Sequence, residues 1–198
     1  FSSHDQSFAH WNSPTLEWLG ILFMLMSGIS FARYFVVWRQ RSLLSLVMDP
    51  EVRAYLIVIA LSVVMVYLML QGTRTIEHPG EAIRTATFQV VSLATTTSFT
   101  TADYGAWPSF LPILLLFLGM FVSCAGSTGG GIKMIRMLVL VQVAKRELTR
   151  ILHPRAVLPL SLMRRPVPEE VVWAVMAFML IYGGTMVGLT LVLLASGL

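Results

Sequence analysis

The stretch from Phe88 to Phe110 reads FQVVSLATTTSFTTADYGAWPSF and decides how the rest of the chain can fold. It is rich in threonine and serine, yet it lies between two strongly apolar regions. The whole chain is 56% hydrophobic and only 12% charged, with a mean hydropathy of +0.76. Soluble domains carry roughly 25% charged residues. The composition therefore indicates a membrane protein with one hydroxyl-rich segment among its spans.

Four regions are apolar enough to cross a membrane, since a spanning helix needs about 20 mostly apolar residues. They are Leu16–Trp38, Ala54–Gln71, Trp107–Ala144 and Val171–Leu198. The third is longer than one span and contains CAGSTGGGIK at positions 124–133. Because each glycine in a helix interior costs about 1 kcal/mol relative to alanine, the sequence predicts a break in this helix.

Basic residues between the spans orient the chain, because cytoplasmic loops carry an excess of lysine and arginine. Segments 39–53 and 145–168 are rich in basic residues and are predicted to be cytoplasmic. Segment 72–84 balances its arginines with glutamates and is predicted to be external. This assignment is self-consistent only if residues 82–102 enter the membrane from outside and return to the outside.

A short helix over about Ala82–Leu93 explains such an excursion. About 12 residues rise only about 18 Å, which reaches about the middle of a hydrocarbon core roughly 30 Å thick. Non-helical backbone is tolerated at that depth where it lines a water-filled cavity. The negative end of the helix favours a cation there, and carbonyl groups of the extended chain can replace the ion's hydration shell. The stretch is therefore predicted to be a pore loop.

A short internal similarity suggests a repeated unit. Phe1–Asp5 resembles Phe99–Asp103, and each is followed by a tryptophan, a proline and a span. The match is short enough to arise by chance. If it is a repeat, the chain starts after one pore loop, contains a second and stops after the first helix of a third unit. Since the first residue is Phe1 and not methionine, we expect a fragment of a longer protein.

Three motifs together closely resemble the Trk-type potassium uptake proteins, the TrkH branch of the Trk/Ktr/HKT cation transporter superfamily. They are the threonine-rich stretch, CAGSTGGGIKMIRMLVL at 124–140 and RELTRILHPRAV at 146–157. The resemblance covers nearly the whole chain and implies an all-α membrane protein of four helix–pore-loop–helix units around a central pore. This chain would carry one complete unit plus flanking helices.

The resemblance implies three parts of the chain. Residues 1–51 would hold an outer segment and the second helix of the preceding unit, with a cytoplasmic loop. Residues 52–153 would form the complete helix–pore-loop–helix unit, with the glycine-rich break in its second helix. Residues 154–198 would provide a cytoplasmic linker and the first helix of the next unit.

The implied function is uptake of potassium, a monovalent cation, through a filter lined by backbone carbonyl groups. The filter residues would be Thr96, Thr97, Ser98 and Phe99, supported by Thr95 and Thr100. Ser98 stands where the family has glycine, and a non-glycine residue in the left-handed region costs about 1–2 kcal/mol. Serine at this position in the plant HKT relatives goes with sodium permeation. Cation conduction is therefore expected, while the preference between potassium and sodium stays open.

The glycine-rich break is implied to be an intramembrane loop that gates the pore. Its residues are Gly126, Ser127, Thr128, Gly129, Gly130, Gly131 and Lys133. The alternative is close helix packing through small residues. Lys133 would either project toward the cytoplasmic vestibule or snorkel or pair with a carboxylate. Asp103 would either raise the local cation concentration or form a turn with Tyr104 and Gly105, and His153-Pro154 is predicted to end the helix.

No enzymatic activity is expected. GSTGGGIK is not a P-loop because no serine or threonine follows its lysine, and all four histidines lie in flanking segments. An intramembrane hydrolase is thus a distant alternative, and a non-conducting structural or regulatory membrane subunit is a nearer one. No basic stripe suggests nucleic-acid binding, and no cofactor is expected besides the transported potassium ion.

The resemblance also implies the protein's surroundings. It implies a homodimer in the bacterial inner membrane, in contact with membrane lipid, and a cytoplasmic nucleotide-binding Trk regulatory subunit. The basic segment 145–165 is a candidate contact for that subunit or for anionic lipid.

Overall fold

The computed structural model describes residues 7–11, 13–153, 160–162 and 165–197. Eight α-helices make up most of these residues, which confirms the all-α prediction. Their bounds are α1 Pro14–Ser27, α2 Phe31–Gln40, α3 Leu44–Val47, α4 Pro50–Gly72, α5 Pro79–Ala94, α6 Phe110–Phe121, α7 Met134–Leu152 and α8 Glu169–Ala195. Short 3-10 helices cover Ser7–Trp11 and Tyr104–Ala106.

The chain divides into two compact units, Phe1–Met134 and Ile135–Leu198. The second unit contains an antiparallel pair of two-residue strands, Ser161–Leu162 with Arg165–Pro166, in the predicted linker. The N-terminal half of the suspected repeat, Phe1–Asp5, lies outside the described residues, as do Pro154 and Arg155.

Among the described helices, two are individually long and apolar enough to cross a membrane, α4 and α8. They match the second and fourth predicted spans. The Asp49 side chain accepts hydrogen bonds from the backbone amides of Glu51 and Val52 and so caps the start of α4. Pro50 follows at the first helical position, where a missing N–H costs nothing.

The first predicted span, Leu16–Trp38, is not one straight helix. Helices α1 and α2 meet at an angle of 90° across residues 28–30, which we name the elbow. The backbone of Gly28 has helical dihedrals, with φ −73°. A Cβ on Gly28 would lie 2.3 Å from the hydroxyl oxygen of the buried Tyr55. Position 28 therefore requires glycine, because the Tyr55 ring of α4 packs against the elbow.

Helix α5 lies at the centre of the first unit and packs against α1, α4 and α6. It runs over Pro79–Ala94, slightly longer than the predicted Ala82–Leu93, and most of its second half is buried. Its 16 residues rise about 24 Å, still short of a hydrocarbon core of roughly 30 Å. An ion pair between Arg84 Nε and Glu17 Oε2, 2.8 Å apart, ties it to α1.

The third apolar region is interrupted as predicted. Helix α6 ends at Phe121, residues 122–133 are not helical, and α7 begins at Met134. We name residues 122–133 the glycine loop. Helix α7 ends at Leu152, immediately before His153, where the sequence predicted its end.

Candidate cation-binding site

The segment after α5, residues 95–103, folds back along that helix, and we name it the threonine loop. Ser92 Oγ donates to the carbonyl of Phe99 at 2.7 Å, and Gln89 Nε2 donates to the carbonyl of Ala102 at 2.9 Å. From the first bond to the second, the helix residue is three positions earlier, about one turn, and the loop residue is three positions later. Residues 82–102 are therefore a helix followed by a returning extended segment, and not one continuous helix.

The first residues of the threonine loop close the end of α5. The amides of Thr97 and Ser98 both donate to the carbonyl of Ser92, at 2.9 and 3.3 Å. In a trans peptide, the carbonyl of one residue points opposite to the amide of the next, and the described residues contain no cis peptide bond. The carbonyl groups of Thr96 and Thr97 therefore point away from α5.

Two residues of this turn have left-handed backbone, Thr96 with φ +56° and Ser98 with φ +60°. Thr97 between them does not. The left-handed dihedral expected at Ser98 is thus present. Thr96 has one as well, although the sequence analysis named such a dihedral only at Ser98. A β-branched residue in this region is a genuine outlier, and such backbone strain clusters at functional sites.

The carbonyl groups of the predicted filter differ in their partners. Those of Thr96, Thr97 and Ser98 accept no hydrogen bond from any residue the structure describes. The carbonyl of Phe99 accepts from Ser92. Among the described residues, three predicted filter oxygens thus have no hydrogen-bond donor, while the fourth has one.

The two predicted support residues have different neighbours. Thr95 is buried, and its hydroxyl donates to the carbonyl of Val91 at 2.8 Å and lies 2.9 Å from the hydroxyl of Thr97. Thr100 contacts the segment that precedes α1, because its carbonyl accepts from the amide of Phe8 at 3.0 Å. A support role for both residues stays a prediction.

The glycine loop contacts the threonine loop. The amide of Gly130 donates to Thr96 Oγ1 at 2.8 Å. The carbonyl oxygen of Thr95 lies 3.2 Å from where a Cβ on Gly129 would stand. The two motifs that the sequence singled out separately therefore meet in the fold.

The three consecutive glycines are not equivalent. Gly131 has φ +81°, and a Cβ on it would lie 2.2 Å from the carbonyl oxygen of Met120. A Cβ on Gly129 would lie 2.5 Å from Cβ of Ser123, whereas one on Gly130 would meet nothing closer than 3.7 Å. Since residues 122–133 are not helical, these glycines serve the packing of a loop and not of two helices.

Residues 122–128 of the glycine loop are bonded to the elbow and its flanks. The amide of Cys124 donates to the carbonyl of Gly28 at 3.0 Å, and the amide of Phe31 donates to the carbonyl of Gly126 at 3.0 Å. Thr128 donates through its hydroxyl to the carbonyl of Ser27 at 3.2 Å. The elbow and its flanking residues therefore hold the glycine loop through these three hydrogen bonds.

A buried carboxylate also holds this loop. Glu51, in the first turn of α4, accepts a hydrogen bond from the amide of Ala125 at 2.7 Å. Sequence reasoning missed Glu51, because an acidic residue there predicts only the start of a helix.

Lys133 lies within the glycine loop. Its ammonium group donates to the carbonyl of Gly129, and to that of Ser127 at 3.5 Å. The lysine thus bonds to loop carbonyl groups, an arrangement that the sequence alternatives did not include.

Asp103 forms the turn that the sequence offered as one of two roles. Its carboxylate accepts from the amide of Gly105 at 3.0 Å and caps the short helix Tyr104–Ala106. It also borders an open hollow of about 680 Å³, lined by Ala9 and residues 100–105.

The fold defines a helical membrane protein with a helix–pore-loop–helix unit. The family model described as "TrkH: Cation transport protein" matches residues 1–195, and the chain belongs to this family. The match confirms the resemblance in the sequence. Membership in a transport family also bears out the prediction of a non-enzymatic protein.

Named relatives and a solved structure agree with this assignment. The chain is 40% identical over 197 residues to "Trk system potassium uptake protein TrkH" of Escherichia coli K12, covering all of this chain and 41% of that protein. It is 30% identical over 201 residues to "Trk system potassium uptake protein TrkI" of Halomonas elongata, covering 40% of it. The crystal structure of the potassium transporter TrkH from Vibrio parahaemolyticus superposes with a TM-score of 0.95 at 37% identity, covering 100% of this chain and 43% of that one. The chain thus spans about two fifths of the length of these proteins.

Proposed function

We propose that the complete protein takes up potassium across a bacterial inner membrane and that the threonine loop holds the ion. The observation that carries this proposal is the orientation of the Thr96 and Thr97 carbonyl groups away from α5. Oxygens gathered on one side of a strained turn can replace the water around a dehydrated cation. The names of the relatives, which describe potassium uptake, support the choice of ion.

The ion would be held by the carbonyl oxygens of Thr96, Thr97 and Ser98, with Phe99 contributing its remaining lone pair. Residues 52–153 would supply one of four such loops around an axis. Residues 1–51 and 154–198 would belong to the neighbouring units. One loop cannot surround an ion, so transport is proposed for the full-length protein only.

The glycine loop is proposed as the gate. Its contact with Thr96 supports this role, because a segment bonded to the ion-holding turn is placed to obstruct the path beside it. Its first half is bonded to the elbow and to Glu51. The section around Gly129, Gly130 and Gly131 is the part proposed to move, because it is the part that contacts the ion-holding turn. Lys133 would follow this movement, since its ammonium bonds to the Gly129 carbonyl.

The assembly is also a proposal. The relatives' names place them in a Trk system, which implies further components. We propose a homodimer surrounded by membrane lipid, with a cytoplasmic nucleotide-binding regulatory subunit. The basic segment 145–165 would contact that subunit or anionic lipid.

Ion uptake by the full-length protein in a bacterial strain that lacks its own potassium uptake systems tests the function. Wild-type protein is expected to restore uptake of potassium and rubidium. Ser98→Gly is expected to raise the ratio of potassium to sodium uptake, because glycine adopts the left-handed turn freely. Ser98→Ala is the matched control, since it keeps a Cβ and hence the strain. Wild-type protein that reaches the membrane but moves no monovalent cation would overturn the proposal.

A further inference from the structure

Two polar side chains lie behind the threonine loop on one face of α5. Gln89 and Ser92 are both completely buried, with 0% exposure, and stand one helical turn apart. Each donates a hydrogen bond to a carbonyl of the returning segment, Gln89 to Ala102 and Ser92 to Phe99. Their spacing of three residues is the same on the helix and on the loop. Together they fix the register of the loop against the helix.

Ser92 holds both sides of the turn. Its backbone carbonyl accepts from the amides of Thr97 and Ser98, and its hydroxyl donates to the carbonyl of Phe99. A single residue therefore bonds to three consecutive residues of the turn, Thr97, Ser98 and Phe99. A change at Ser92 would alter the spacing of the oxygens proposed to hold the ion.

Packing alone does not require these polar groups. A buried polar atom without a partner costs about 1–3 kcal/mol, and Gln89 Oε1 has no hydrogen-bond partner among the described residues. An apolar side chain of similar size would avoid that cost but would leave the carbonyl of Ala102 without its hydrogen-bond donor. The polar ties must therefore contribute something that an apolar residue cannot, namely a fixed direction for the loop carbonyl groups.

We infer that Gln89 and Ser92 are positioning residues that set ion specificity by holding the rear of the threonine loop. This inference rests on the proposed function. A carbonyl-lined site discriminates between cations through the number and placement of its oxygens. With the ties intact, the Phe99 and Ala102 carbonyls are each held by a side chain of α5 through one lone pair, and the preceding carbonyls stay aligned. With a tie removed, the carbonyl oxygens can adjust their spacing to either potassium or sodium, and discrimination between the two ions falls.

The test compares potassium and sodium uptake by the full-length protein carrying Ser92→Ala or Gln89→Met. Each variant removes one tie at nearly constant volume. The ratio of potassium to sodium uptake is expected to move toward one by about twofold to tenfold, the range that one hydrogen bond of ordinary net strength allows. Ser92→Cys keeps a weak donor and is expected to fall between Ser92→Ala and wild type.

Thr87→Val is the matched control. Thr87 lies on the same helix, but its hydroxyl donates at 2.6 Å to the carbonyl of Ile83 within α5. Its loss is expected to leave the ion ratio unchanged. The amount of each protein in the membrane is measured alongside, so that uptake is compared per molecule.

The outcomes separate this inference from the proposed function. If wild type moves no cation, the proposed function fails. If wild type transports but both variants keep its ion ratio, lower all uptake equally or fail to accumulate in the membrane, the ties serve folding and the inference is overturned.

Discussion

Two apolar regions of the chain are interrupted, one at the elbow and one at the glycine loop. The elbow takes only residues 28–30 and turns the chain by 90°, whereas the glycine loop takes residues 122–133. Both were read from the sequence as apolar spans, and only the second carried an obvious warning in its run of glycines.

The glycines at the two breaks have different reasons. Gly28 keeps helical dihedrals and is needed because Tyr55 leaves no room for a Cβ. Gly126 and Gly131 have φ +72° and +81°, so they are needed for the path of the chain itself. At the elbow, glycine leaves room for the Tyr55 side chain. In the longer glycine loop, non-helical backbone extends to a second part of the fold. This backbone reaches Thr96, and the elbow supports it from the other side.

The largest effect is expected from Gly131→Ala in the glycine loop. The left-handed backbone alone costs about 1–2 kcal/mol with a side chain, and the collision with the Met120 carbonyl adds about 1–3 kcal/mol of overpacking. The thermal midpoint of the purified full-length protein should fall sharply, and ion uptake should be lost. Gly130→Ala is the control and should melt near wild type, because its Cβ would make only ordinary contacts. Equal melting of the two variants would contradict this reading of the loop.

The next effect concerns the bond between α4 and the glycine loop. Glu51→Leu leaves the part-buried amide of Ala125 without its charged acceptor, a loss of about 1.5–3 kcal/mol. Denaturation midpoints should show this cost, whereas Glu51→Gln, which keeps an acceptor oxygen, should lose much less. If leucine and glutamine at position 51 are equally destabilising, the carboxylate does not anchor the loop.

A smaller effect is expected at the elbow. Gly28→Ala should cost about 1–2 kcal/mol, the lower part of the overpacking range, because the buried Tyr55 ring must move away from the new Cβ and its hydroxyl is bonded to the Leu25 carbonyl. Adding Tyr55→Phe removes the nearest atom, so the double variant should lose less than the sum of the two single changes. A double-mutant cycle on thermal midpoints measures this coupling. Strict additivity would show that Tyr55 does not limit the side chain at position 28.

The smallest effect is expected where the glycine loop meets the threonine loop. Thr96→Val keeps the branched shape but removes the oxygen that accepts from Gly130. Because the proposed gate would then be held less firmly, unstimulated uptake should rise by about twofold to tenfold, the range of one hydrogen bond. Thr96→Ser keeps the oxygen and should behave as wild type. Unchanged uptake with valine would separate the gate from this contact.

The sequence predicted features whose signal is local. Unbroken apolar length indicated α4 and α8, the threonine run indicated a helix that stops and turns back, and the glycine run indicated the break after α6. Each depends on residues close together in the chain, so composition and spacing are enough to find it.

The missed features depend on partners far along the chain. Gly28 at the elbow is required by Tyr55, which lies on α4, while the apolar pattern of Leu16–Trp38 continues through the elbow without a change. The group that donates to Glu51, the amide of Ala125, lies 74 residues further along the chain. Gln89 and Ser92 look like ordinary polar residues of a short helix until the loop is seen to fold back onto them.

The claim that Thr96, Thr97 and Ser98 hold the ion is tested most directly by anomalous X-ray diffraction from crystals of the full-length protein in rubidium. An anomalous peak is expected at coordination distance from the carbonyl oxygens of these three residues. A saturating concentration of rubidium that gives peaks only elsewhere, with none beside the threonine loop, would contradict it.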